Sequence, residues 1–108
     1  MSGGFFNYDQ RYLKSLAEDL IFDFRERLKN QDIHLQEVTI LNCYASAVTN
    51  MLVAEMIINR LDYLYSGDDS FQTFGDRLLE DNQNVSDEIL QFIDEIEKQK
   101  LLIRGKPQ

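Results

Sequence analysis

The sequence predicts an all-α protein, a small bundle of about four helices with a long central second helix. Three observations lead there. The only proline is Pro107, so nothing breaks a helix in the interior. No apolar/polar alternation is sustained as strands require, and apolar residues recur instead at three- and four-residue steps. At 108 residues, 44% hydrophobic and 28% charged, the chain is one domain of ordinary globular composition, 1–108.

Met1 to Asn7 forms a lead (1–8 with Tyr8) whose Phe5, Phe6 and Tyr8 are expected to fold back on the core. The first helix is read from Asp9 to Lys29, because Leu13, Leu16, Ala17, Leu20, Phe24 and Leu28 mark one apolar face. Ile21 and Phe22 widen it. Asn30-Gln31-Asp32 ends this helix, with Asp32 placed to cap the next.

The second helix is read from Leu35 to Tyr65. Ile40, Tyr44, Ala47, Met51, Ala54, Ile58, Leu61 and Tyr65 step by four and three, a seam suited to packing on another long helix. Leu41, Ala45, Val48 and Leu52 make a second stripe. Two stripes call for cover on both sides, which favours a homodimer through this helix. The uncharged run Val38 to Ala54 is too short and too polar to span a bilayer, so no membrane role is expected.

Gly67 stands where a left-handed C-cap is wanted, and Asp69 or Ser70 where an N-cap is wanted. Asp69 with Gln72 has weak capping-box spacing. A third helix then runs from Ser70 to Glu80, with Phe71, Phe74 and Leu78 inward. Asp81-Asn82-Gln83-Asn84 reads as a polar linker. A fourth, acidic helix (84–104) follows, capped by Ser86, with Val85, Ile89, Phe92, Ile93 and Ile96 inward.

Net charge is −8, and residues 67–98 carry ten acidic against two basic side chains, a local balance equal to that of the whole chain. Such a surface repels phosphate, which argues against direct nucleic-acid binding and for a protein partner with a basic surface. The plainer reading is solubility. One cysteine excludes an intrachain disulfide, and with no secretory leader the expected compartment is a reducing cytoplasm.

The catalytic inventory is thin. His34 and Cys43 are nine residues apart, about half a turn out of phase if they share a helix. A Cys/His pair is therefore not expected, Cys43 reads as a small buried hydrophobe, and zinc lacks ligands. Gly67 and Gly75 stand alone, so no phosphate loop exists. Asp62, Asp68, Asp69 and Asp76 suggest a magnesium site, but adjacent aspartates in a turn point apart and Arg60 and Arg77 are near enough to neutralise them. The expectation is no enzyme, no cofactor and no metal. Tyr44, Tyr63, Tyr65, Phe71 and Phe74 either stack on a base or belong to the core.

The start "MSGGFFNYDQ" and the block "INRLDYLYSGDDSFQTFGDRLLED" resemble a group of small uncharacterised proteins of bacteriophages and prophages. The matching residues are Arg60, Asp62, Tyr63, Leu64, Ser66, Gly67, Asp68, Asp69, Phe74, Arg77 and Glu80. Phe5, Asn7 and the acidic helix after Asp81 depart from the pattern. The resemblance implies a phage gene product in the host cytoplasm and brings no activity with it.

Besides a metal-dependent hydrolase on the aspartate cluster, two functions are weighed. One is an acidic interaction protein that binds and inhibits a host component, such as a defence system. The other is a binder that sequesters a nucleotide-like ligand at a dimer interface, with Arg60 and Arg77 on phosphates and Tyr63 or Tyr65 on the base. Candidate binding residues are Arg60, Asp62, Tyr63, Asp68, Asp69 and Arg77 at the turn, and Asp87, Glu88, Asp94 and Glu95 on the acidic helix.

Overall fold

The computed structural model describes residues 9–105. The Phe5, Phe6 and Tyr8 expectation lies outside them. The described chain is all-α and holds three helices: α1 (Arg11–Lys29), α2 (Val38–Tyr65) and α3 (Phe71–Arg104), with a 3-10 turn at Ile33–Gln36.

The predicted third and fourth helices are one. Asp81 to Asn84 are helical and Ser86 is interior rather than a cap. No glycine or proline occupies that stretch, and an asparagine costs only about 0.7 kcal/mol against alanine in a helix. Tertiary contacts offset this, because Arg60 binds Asp81 and Val85 packs on the core. The cap of α3 is Ser70, one of the two expected residues, and its capping-box partner is Thr73 where Asp69 with Gln72 was read.

Both interhelical turns use the same device. At the end of α2 the Asp68 N–H donates to the Tyr63 carbonyl and the Gly67 N–H to that of Leu64, and Gly67 takes φ +84. That is a Schellman cap, as predicted for a left-handed glycine. At the end of α1 the Asp32 N–H donates to Arg27 and the Gln31 N–H to Leu28, with Gln31 itself at φ +55. A glutamine pays a steric penalty there that glycine avoids. Asp32 then accepts from the His34 N–H at 2.9 Å and from Arg27 at 2.6 Å. Those bonds hold its carboxyl down at about 2.

The helix once expected to start at Leu35 therefore begins at Val38, so His34 and Cys43 do not share it. His34 is exposed beside Asp32, 2.8 Å away. Cys43 is also exposed, contrary to expectation.

α1 and α3 both run antiparallel to α2. Gln10 reaches Asn59 while Tyr44 reaches Asp23, and Arg60 reaches Asp81 while Gln99 donates to the Leu35 carbonyl. The core lies where the three meet. Phe24 sits edge-on to Phe92 at 5.3 Å and tilted against Tyr44 at 5.5 Å. Ala17, Ile21, Leu35, Leu41, Val48, Leu52 and Ile96 complete it. Each large side chain buried there contributes about 1.5–3 kcal/mol.

Of the two stripes on α2, the second (Leu41, Val48, Leu52) is the buried one. The longer seam from Ile40 to Leu61 is only half-covered, and Tyr65 is 60% exposed. On α1, Ile21 is buried but Phe22 and Leu16 are exposed, so that helix has one covered side.

Unequal helix lengths make the molecule long. α3 runs about 51 Å and α1 only about 28 Å at 1.5 Å per residue. The radius of gyration is 17.2 Å, against roughly 13 Å for a compact chain of this size. α1 does not reach the α2–α3 hairpin tip, so Phe71, predicted inward, is 89% exposed. Phe74 and Leu78 are half-buried. By length and composition α2 as a whole could cross a membrane, as core helices of soluble proteins also can; the shorter run Val38 to Ala54 understated it.

Candidate functional site

The turn after α2 is built around one arginine. Arg60 Nη1 donates to Asp69 Oδ2 at 2.9 Å and its Nε to Asp81 Oδ2 at 2.8 Å. The guanidinium also lies over the Tyr63 ring, 4.9 Å from its centre. Arg77 Nε stands 3.5 Å from the other oxygen of Asp69. The Asp69 side chain is almost fully buried, Arg60 is 12% exposed, and Asp68 points to solvent. Burial pulls the Arg60 guanidinium down, but the bonds from Asp81 and Asp69 outweigh it and hold it above its ordinary value.

Asp62, grouped with this turn from the sequence, faces the other way. It is fully buried near Gln10 Nε2 at 3.4 Å and Ser66 Oγ at 3.5 Å. Gln10 also donates to Asn59 at 2.7 Å, and Asn59 to Glu55 at 2.5 Å. Burial raises the Glu55 carboxyl above its usual range, with Asn59 opposing.

Between these groups is a cleft of about 270 Å³ lined by Lys14, Glu55, Asn59, Arg60, Tyr63 and Asp81. Its chemistry is mixed in sign. Two nitrogens of Arg60 are engaged by carboxylates, and the guanidinium covers the Tyr63 face that a base would need. Tyr44 donates to the half-exposed Asp23 and Tyr65 is exposed. Among the described residues no three His, Cys, Asp or Glu side chains gather as a metal requires.

The acidic candidates separate once α3 is continuous. Asp76, Glu80, Asp87 and Asp94 step by four and then seven, which puts them on one face of a helix. All four are exposed, along about 27 Å of axis. Arg77 is engaged with Asp69, and Lys98 with Asp94 at 2.9 Å. Asp76, Glu80 and Asp87 form no ion pair among the described residues.

Glu95 leaves that face and makes two bonds to Arg25, at 2.9 and 2.8 Å. Glu88 is half-buried along a shallow cleft with Phe22, Arg25 and Phe92. Sequence reasoning missed Asp81 as the second arm of Arg60, and Asp76 and Glu80 as members of the stripe. The seven-residue spacing Glu80–Asp87–Asp94 was the available signal, concealed by the linker placed at Asp81–Asn84.

No family model matches this chain. No curated protein and no solved structure matches it either.

Proposed function

We propose that this protein is a small acidic interaction module, made by a phage, that binds a basic surface of a host protein and blocks it, a defence system being the fitting class. It works by occupancy and not by catalysis, in the host cytoplasm. The observation that carries this reading is the Asp76–Glu80–Asp87–Asp94 line. It is a rigid row of carboxylates on one helix face, with three of the four outside any ion pair among the described residues.

A chain that used its acids only for solubility would gain as much from scattering them. Here the basic side chains nearby pair with carboxylates elsewhere or at the end of the row. A row of fixed charge speeds encounter with an oppositely charged surface and sets its register. The reading of a sequestered nucleotide has less support, because Arg60 and Tyr63 are already bound to their own neighbours.

The test is capture from host lysate with wild type and with Asp76→Lys/Glu80→Lys/Asp87→Lys. Wild type should retain a basic protein whose recovery falls as salt rises, and the triple variant should lose it while keeping its helical spectrum. Equal recovery by both would sink the proposal.

A further inference from the structure

Every charged residue of α2 is turned away from its outer face. Glu55 is 8% exposed and Asp62 fully buried, and Arg60 is held by Asp69 and Asp81. The outward surface from Val38 to Tyr65 therefore carries no charge, in a chain that is 28% charged overall. Along it Cys43, Ala47, Asn50, Ala54, Ile57 and Leu61 step by four and three without a break, one position round from the seam first read in the sequence. Cys43, Asn50 and Ile57 are exposed, and Ala47, Ala54 and Leu61 half-buried.

We infer that this face is where a second copy of the chain packs, α2 against α2 and antiparallel. Two arguments select that occupant. The first is electrostatic: copies that each carry −8 repel wherever acids face outward, and this face is the uncharged approach. The second is area. α2 is about 42 Å long and about 10–12 Å across with its side chains, so the face offers roughly 450 Å², about what one partner buries in a weak, reversible dimer.

Graded size sets the direction. The row is small at Cys43, Ala47 and Ala54 and large at Ile57 and Leu61. Antiparallel pairing places Cys43 on Leu61, Ala47 on Ile57 and Asn50 on Ala54, so all six positions are used and large meets small. This register also overlaps the two helices almost end to end and opposes their dipoles. Parallel pairing would set Ile57 on Ile57 and leave gaps at Cys43. The inference does not depend on the acidic stripe, which lies on α3.

Cysteine cross-linking tests it on the whole chain. Under mild oxidation Leu61→Cys, with native Cys43 present, should give a covalent dimer. Neither wild type nor Leu61→Cys/Cys43→Ser should do so. Sedimentation equilibrium should give wild type twice the 12.7 kDa chain mass, and Ala54→Glu, which has room at a half-exposed site to fold, the monomer mass. Cross-linking of wild type through Cys43 alone would overturn the antiparallel register. A monomer at 100 μM, or a monomer that floats with neutral phosphatidylcholine vesicles, would overturn the dimer.

Discussion

At the scale of single residues, Arg60 has the largest structural role at the turn. Removing it leaves Asp69, whose side chain is 1% exposed, with only the more distant and exposed Arg77 at 3.5 Å, and releases Asp81 from α2. Arg60→Met should therefore lower unfolding free energy by about 3 kcal/mol, the lower end for breaking a buried pair. Denaturant titration measures this; a loss under 1 kcal/mol would show the pair to be ornamental. Glu55 works in the opposite sense. Burial raises its folded pKa, so the unfolded chain loses that proton first. Glu55 thus costs nothing below about pH 4 and costs progressively more as pH rises through its folded value. Glu55→Gln keeps an oxygen for Asn59, and should melt higher than wild type at pH 7 and equal to it at pH 4. A difference independent of pH would contradict this assignment.

At the scale of elements, the all-α class, the bounds of α1 to within two residues and the glycine cap of α2 were legible, because each depends on local chemistry. The join at Asp81–Asn84 was not, since four polar residues look alike in a loop and on an exposed helix turn. What decides between them is Arg60, twenty-one positions upstream, which no local pattern brings to Asp81. That one misplacement hid the phase between Glu80 and Asp87, and with it the acidic stripe. Phe71 was misread for a related reason: amphipathic spacing tells which residues share a face and not whether another helix reaches it. At the candidate turn the expected neutralisation of an aspartate by Arg60 and Arg77 is present at Asp69, while Asp62 belongs to a different cluster. Continuity has a direct test. Asn82→Ala/Asn84→Ala should stabilise by about 1 kcal/mol in an interior helix, whereas a linker would gain nothing; equilibrium unfolding separates the two.

At the scale of the whole molecule, the line of carboxylates and the uncharged strip lie on different helices. α3 carries a line of carboxylates; the outer side of α2 carries none. The two proposed contacts must then respond oppositely to salt. Dimerisation brings two chains of −8 side by side, and their outward acids repel at a range set by the Debye length, about 10 Å at 0.1 M and about 3 Å at 1 M. Raising salt from 0.05 to 0.5 M should therefore tighten self-association, measured by sedimentation, since an uncharged interface has no attraction to screen. Binding of a basic partner to the α3 stripe should weaken over the same range, because there the screened force is the attractive one. Asp76→Asn/Glu80→Gln/Asp87→Asn should flatten both slopes, by removing the repulsion in one case and the attraction in the other. Self-association that weakened with salt would mean that charges sit in the dimer contact after all, and would move it off α2.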